Sequence, residues 1–195
     1  MALFTSAVYQ NEFLPDGGTD VNAIVTIACS GAGAAGQTGS GDAGEIIIVD
    51  TSGSMGDRNM QAAKQAAMVA LDHILNGTYF AVVAGNHKAY LAYPMVQSGA
   101  GMVRMDARTR AEARRAISFF RADGGTAMGN WLNLARALFD SIGGLAQKHA
   151  ILLTDGENHN ETQQQLDLAI RNSAGQFQVD CRGIGVDWKV AEIRK

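Results

Sequence analysis

From Glu45 onward, the sequence alternates short apolar runs with longer segments whose apolar residues recur at helical spacing. The first run, residues 46–49 (Ile-Ile-Ile-Val), is typical of a strand that is buried on both faces. Residues 59–76 then repeat small and apolar side chains along one face and stop at Gly77, which predicts a helix. Because strands of this kind need helices above and below them, the pattern predicts an α/β fold with a doubly wound, mostly parallel open sheet.

The same alternation predicts the other elements of this region. The predicted strands are residues 79–84, 89–93, 149–154 and 178–186, and the predicted helices are residues 109–120, 127–142 and 162–172. The short connection between the strands at 79–84 and 89–93 suits a hairpin, so one strand of the sheet is expected to be antiparallel. Thr109 and Glu112 have the spacing of a capping box and predict where the first of these three helices begins.

The beginning of the chain has a different composition. Residues 7–29 contain a turn signal at Pro15-Asp16-Gly17-Gly18 and a β-branched stretch after it, which predicts a β-hairpin. Residues 31–44 hold six glycines and no large apolar side chain, which predicts a flexible linker. We therefore expect the hairpin and linker in residues 1–44 and the α/β domain in residues 45–195. That domain is expected to lack its last strand, because the sequence stops at Lys195 while it enters another helix.

A carboxylate and two hydroxyls recur at every second position directly after the first strand of the sheet, at Asp50, Ser52 and Ser54. In an extended turn that leaves a strand, these three side chains can point the same way. Their oxygens are the hard ligands that Mg²⁺, Mn²⁺ and Ca²⁺ prefer. In open α/β sheets, ligands bind beyond the carboxyl ends of the strands, where the strand order reverses. The loops after Val49 and Thr154 are therefore the places where we expect the site.

This loop resembles the metal-ion-dependent adhesion site of von Willebrand factor A and integrin I domains, whose signature is Asp-x-Ser-x-Ser after the first strand. That family also uses a threonine from a later loop and an aspartate after the fourth strand of the sheet. Here Thr126 follows Asp-Gly-Gly, and Asp155 follows Ile-Leu-Leu-Thr. The resemblance covers about residues 45–195, and three separated matches are more specific than one short motif. The chain is accordingly identified as a member of this family, with a bacterial source expected.

The resemblance implies one divalent cation per chain, held by Asp50, Ser52, Ser54, Thr126 and Asp155. It implies that the serine hydroxyls and, in the partner-bound state, the threonine hydroxyl bind the ion directly, while the aspartates often act through water. Mg²⁺ is expected, with Mn²⁺ or Ca²⁺ as alternatives. An open coordination position would then accept an Asp or Glu carboxylate of a partner protein. The expected function is a cation-dependent protein-binding module without enzymatic activity.

Other interpretations remain open from the sequence. Ser52 and Ser54 could instead cap the next helix. Glu157 could line the rim of the site, as we favour, or act as a base on metal-bound water, and His159 is expected to border the same face. The alternative function is therefore a metal-assisted hydrolase or, because A domains also occur in chelatase-type complexes, a subunit of an ATPase machine. A shift of the Thr126 loop could add or remove a ligand, and whether it does stays open.

Composition and short motifs argue against several other classes. The net charge of −3 favours neither nucleic acid nor an anionic membrane, and we interpret the arginines between Arg104 and Arg121 as a solvated helix face. The glycines at 31, 33 and 36 match a dinucleotide fingerprint, but more glycines follow instead of a helix. Cys29 and Cys181 are expected to be reduced and mostly buried. With no signal sequence and no bilayer-spanning apolar run, we expect a cytoplasmic location. The oligomeric state stays open.

Overall fold

The computed structural model describes residues 3–10, 23–30, 42–95, 101–156 and 158–185. The chain divides into two compact units, Met1–Ser40 and Gly41–Lys195. In the first unit, β1 (Leu3–Gln10) and β2 (Ala23–Ser30) pair antiparallel along their whole length. This confirms the predicted hairpin. Of the predicted linker, residues 31–41 lie outside the described residues, and residues 42–44 already belong to the next strand.

The second unit contains the predicted strands and helices, with shifted ends. Its strands are β3 (Asp42–Asp50), β4 (Tyr79–Gly85), β5 (Ala89–Tyr93), β6 (Val103–Arg104), β7 (Leu145–Thr154) and β8 (Gln178–Gly183). Its helices are α1 (Gly56–His73), α2 (Ala107–Ser118), α3 (Met128–Asp140) and α4 (Gln163–Ser173). Among the described residues, no helix is long and apolar enough to cross a membrane.

The sheet of the second unit has the strand order β5-β4-β3-β7-β8. Strands β3, β4, β7 and β8 are parallel, whereas β5 and the short β6 run antiparallel to β4. Helix α1 leads from β3 to β4, and α4 leads from β7 to β8 in the opposite direction. The strand order therefore reverses between β3 and β7, and a crevice is expected at their carboxyl ends.

The central strand β3 is buried from both sides, which explains its continuous apolar run. Ile46, Ile47, Ile48 and Val49 are each at most 1% exposed. Ile47 and Val49 pack against buried side chains of α1 and α2, whereas Ile46 and Ile48 pack against those of α3. Because alternate residues of a strand point to opposite faces, this one run joins two helical layers. The doubly wound α/β architecture is thus as predicted.

The start of α2 differs from the prediction. Asp106 is the N-cap residue: its side chain accepts a hydrogen bond from the Thr109 backbone N–H at 2.7 Å, and the Thr109 hydroxyl accepts one from the Asp106 backbone N–H at 2.8 Å. The capping box is therefore Asp106 with Thr109, and the prediction of Thr109 with Glu112 was wrong. Glu112 lies within the helix and instead binds Arg108 and the Tyr93 hydroxyl. A preferred N-cap residue three positions earlier explains the shift.

Two arginines of this region, Arg104 and Arg110, are bound to other parts of the protein. The Arg110 guanidinium donates to the carbonyl oxygens of Leu71 and Ile74, at 2.9 Å each, where α1 ends. Arg104 binds Asp42 at 2.8 Å and lies 4.2 Å above the centre of the Tyr79 ring. These side chains stabilise a helix end and the start of β3, so the interpretation as only a solvated face was incomplete.

Candidate metal centre

Two aspartates lie at the carboxyl ends of neighbouring strands, where the strand order reverses. Asp50 is the last residue of β3, and Asp155 directly follows Thr154, the last residue of β7. The two strands are parallel neighbours, with Val49 opposite Leu153. The sheet therefore brings both predicted aspartates to one edge. Repulsion from Asp155 is one of the causes that raise the pKa of Asp50.

The Asp50 carboxyl is completely buried, with an exposed fraction of 0%. Its Oδ1 accepts a hydrogen bond from the Ser52 backbone N–H at 2.8 Å, and its Oδ2 accepts one from the Thr154 hydroxyl at 2.6 Å. Burial raises its pKa from the usual 3.8 to about 6, and the hydrogen bonds from Ser52 and Thr154 only partly offset that cost. The raised pKa indicates that the surrounding groups do not balance the negative charge of the buried carboxylate.

The two serines of the loop lie side by side. Ser52 Oγ and Ser54 Oγ are 3.0 Å apart, with Ser52 buried and Ser54 exposed in the short 3₁₀ turn Gly53–Met55. Neither the turn nor α1 receives a side-chain hydrogen bond at its N-cap position. The alternative in which Ser52 and Ser54 cap the next helix is therefore wrong. The two hydroxyls instead follow the buried Asp50 carboxylate at every second position, which is the spacing on which the predicted cation site depends.

Hydrogen bonds attach the loop that carries Thr126 to the Asp50 loop. The Asp123 backbone N–H donates to Thr51 O at 2.8 Å, and the Gly53 N–H donates to Gly124 O at 2.7 Å. Thr126 itself is 1% exposed. Loops from three separate parts of the sequence thus lie next to one another at this edge.

One carboxylate oxygen at the site has no hydrogen-bond partner among the residues that the structure describes. Oδ1 of Asp155 is buried and makes no hydrogen bond within the described residues. Roughly 90% or more of buried backbone polar groups, and the large majority of buried side-chain polar atoms, have a partner. An unpartnered oxygen beside a second buried carboxylate is therefore the kind of atom that a bound cation or its water would satisfy.

The donor set fits a hard divalent cation. Its members are the carboxylates of Asp50 and Asp155 and the hydroxyls of Ser52, Ser54 and Thr126. No group of three His, Cys, Asp or Glu side chains able to hold a metal occurs in the part of the chain that the structure describes. The three hydroxyls carry no formal charge, and the two carboxylates would balance a divalent ion only if both bound it directly, so the set would suit Mg²⁺, Mn²⁺ or Ca²⁺.

Some residues at this edge were not predicted. The Thr154 hydroxyl, besides donating to Asp50, accepts a hydrogen bond from the Gly156 N–H at 3.0 Å. The only sequence signal for it was a polar residue directly after the apolar run at residues 150–153. His159 is exposed, and its backbone N–H donates to Thr126 O at 3.2 Å, which places it near the site as expected. Glu157, the candidate base or rim residue, lies outside the described residues.

Comparison with known proteins shows which family this chain is similar to. The model of the von Willebrand factor type A domain family matches residues 46–192. A solved von Willebrand factor type A structure from Catenulispora acidiphila is 44% identical with a TM-score of 0.74, and the match covers 98% of this chain and 42% of that chain. An uncharacterized Synechocystis protein, sll0103, is 29% identical over 148 residues, covering 73% of this chain and 32% of that protein. The chain thus spans less than half the length of either relative.

A more distant structure carries a metal in its own site. Proximal thread matrix protein 1 of the mussel byssus, solved with a zinc-occupied metal-ion-dependent adhesion site, is 21% identical with a TM-score of 0.62. The match covers 80% of this chain and 41% of that chain. At this identity the likeness shows the fold alone.

Proposed function

Because the chain belongs to the von Willebrand factor type A family, whose domains are generally protein-interaction modules, we propose that it binds a partner protein through one divalent cation. The cation is held at the carboxyl ends of β3 and β7 by Asp50, Ser52, Ser54, Thr126 and Asp155. The partner contributes an Asp or Glu carboxylate to it. The resident ion is Mg²⁺, with Mn²⁺ and Ca²⁺ as close substitutes.

The observation that carries this proposal is the pair of incompletely satisfied carboxylates. Asp50 is fully buried with a pKa raised to about 6, and Asp155 Oδ1 is buried without a hydrogen-bond partner among the described residues. A buried negative charge is costly unless it is paired or binds a metal. A cation between these two residues would supply the missing positive charge.

The donor set also supports capture of an outside carboxylate. Hydroxyls contribute no formal charge, so an ion bound directly by Ser52, Ser54 and Thr126, with the two aspartates acting through water, keeps an attraction for a further anion. When bound, the ion supplies an electrophilic centre that accepts a carboxylate oxygen. Ser54 is exposed whereas Ser52 is buried, so the approach of the partner is from the side of Ser54. This role needs no catalytic step, and we propose none.

Zinc is the ion in the mussel protein, so the metal preference of this chain needs a direct comparison. Ligands of Mg²⁺ are almost all oxygen atoms, whereas Zn²⁺ favours nitrogen and sulfur as well. The five candidate ligands here are all oxygen donors. The general affinity order places Zn²⁺ above Mn²⁺ for a given site, so we expect the availability of Mg²⁺, rather than a higher affinity, to make it the resident ion.

The proposal is tested with immobilised protein and pairs of synthetic peptides that differ only in Asp against Asn, or Glu against Gln. We expect acidic peptides to be retained with Mg²⁺ and released by chelator, while their amide counterparts pass through. Asp50→Ala should abolish retention. Asp140→Asn, which removes an exposed carboxylate at the far end of α3, should retain peptides like the wild type. Retention that survives chelator, or that is equal for acidic and amide peptides, would overturn the proposal.

A further inference from the structure

The backbone of Thr126 is held by a segment of the loop that follows Asp155. The N–H groups of His159 and Asn160 both donate to Thr126 O, at 3.2 Å and 2.8 Å. In return, the Thr126 N–H donates to Asn160 Oδ1 at 3.1 Å. Both backbone polar groups of the candidate ligand are therefore bound by a two-residue stretch of another loop.

The same segment also caps α3, the helix that begins just after Thr126. The N-cap residue of α3, Ala127, has no side chain able to accept a hydrogen bond. Instead, Asn158 Oδ1 accepts from the Met128 N–H at 3.3 Å, and Glu161 Oε1 accepts from the Gly129 N–H at 2.8 Å. An acceptor and a negative charge at a helix start are stabilising, so this segment replaces the missing local cap.

Two glycines leave room for these side chains. A Cβ at Gly125 would lie 1.6 Å from Asn160 Oδ1, and a Cβ at Gly129 would lie 2.5 Å from Glu161 Oε2. Neither glycine has a positive φ, so its backbone does not require glycine. What both positions require is space for a side chain from the other loop. Gly125 therefore leaves space for the Asn160 side chain, and Gly129 leaves space for the Glu161 side chain.

We infer that residues 158–161, which we call the clamp, hold Thr126 in its place at the site and make the loops of Thr126 and Asp155 move as one body. Asn160 is the central positioning residue. The inference rests on the proposed function only in assigning Thr126 to the cation. A shift of the Thr126 loop alone would break three hydrogen bonds to the clamp, and one that also moved the start of α3 would break five, so any rearrangement on partner binding carries residues 158–161 with it.

The contact between Gly125 and Asn160 is tested without metal. Thermal unfolding is measured in chelator for the wild type, the two single variants and the double variant. Gly125→Ala should lower Tm by roughly 5 °C in the wild type, because its new methyl group displaces the Asn160 amide. In the Asn160→Ala background the same change should lower Tm by less than about 1 °C, since the clashing atoms are gone. Gly143→Ala, where a Cβ meets open space, is the matched control. Equal losses in both backgrounds would overturn the inference.

The effect on the site is tested with Mn²⁺ in a buffer that contains acetate as the carboxylate. Asn160→Ala and Thr126→Ala should each weaken Mn²⁺ binding by about tenfold and raise the number of water molecules on the ion, measured by water proton relaxation. The double variant should bind no more weakly than the weaker-binding single variant. Asn133→Ala, an exposed asparagine of α3, should match the wild type.

The two experiments separate the clamp from the proposed function. Losses that multiply in the double variant, or Mn²⁺ binding unchanged in Asn160→Ala, would show that Asn160 does not act through Thr126 and would overturn the inference. If the wild type binds no Mn²⁺, the proposed function fails and the role assigned to the clamp at the site fails with it. The contact between Gly125 and Asn160 would still be decided by the unfolding cycle.

Discussion

Replacing Asp50 by asparagine should stabilise the protein when no metal is present. Burial raises the pKa of Asp50 from 3.8 to about 6 in the folded state. A shift of this size corresponds to about 3 kcal/mol of unfavourable free energy for the ionised carboxylate at neutral pH. An asparagine side chain carries no charge, so most of this cost would disappear in the variant.

The hydrogen bonds of Asp50 limit the gain. The amide oxygen of an asparagine can still accept from the Ser52 N–H, but its NH₂ group would face the Thr154 hydroxyl, which now donates to Asp50. That hydroxyl would have to turn and accept, and a hydroxyl has two lone pairs for doing so. Neutral hydrogen bonds are weaker than those of a carboxylate. We therefore expect Asp50→Asn to raise the free energy of unfolding by about 1–3 kcal/mol.

The stability gain of Asp50→Asn should depend on pH in the direction set by the pKa shift. Because the pKa of Asp50 is higher in the folded than in the unfolded state, the penalty is full above about pH 6 and vanishes as the pH falls below the unfolded value of 3.8. Urea unfolding in chelator should thus show a gain for Asp50→Asn at about pH 7.5 that shrinks at about pH 4.5. Added Mg²⁺ should stabilise only the wild type and reverse the order. A variant less stable than the wild type in chelator at neutral pH would refute this reasoning.

Three further changes have specific expected results. Thr126→Ala should weaken retention of acidic peptides more than Mg²⁺ binding, measured by peptide capture and calorimetry on the same variant; equal losses would contradict a role in the partner-bound state. Trp131→Phe should lower the free energy of urea unfolding by about 2–4 kcal/mol, because the fully buried indole N–H donates to Asn86 O at 2.7 Å. Arg110→Ala should lower it by about 1–2 kcal/mol, since the carbonyl oxygens at the end of α1 lose their donor, whereas Arg108→Ala should have less effect.

The fold could be predicted from the sequence where one local pattern decided the structure. The run at residues 46–49 is apolar at every position because both faces of β3 are covered, and that signal needs no tertiary information. The capping of α2 was predicted wrongly because Thr109 is itself a good N-cap residue, and only the backbone conformation shows that Asp106 takes that role. Strand β6 was not predicted, since two residues carry no periodicity.

The candidate site could be predicted only in part for a similar reason. Asp50, Ser52 and Ser54 are close in sequence, so their spacing alone indicates a shared purpose. Thr154 and Asn160 have no such pattern. Thr154 contacts a residue that lies 104 positions away in the sequence, and Asn160 contacts one that lies 34 positions away. A glycine before Thr126 suggests loop mobility from the sequence, whereas in the structure Gly125 makes room for the Asn160 side chain. Gly125 is therefore evidence for a loop that Asn160 holds in place, and not for a mobile one.

The most direct test of the central claim is calorimetric titration of Mg²⁺ and Mn²⁺ into protein stripped with chelator, comparing the wild type with Asp50→Ala and Asp140→Asn. We predict saturable binding of one ion per chain in the wild type and in Asp140→Asn, and none in Asp50→Ala. Circular dichroism should show that Asp50→Ala is still folded. Absence of saturable binding in the wild type, or undiminished binding in folded Asp50→Ala, would contradict a cation site at the carboxyl ends of β3 and β7.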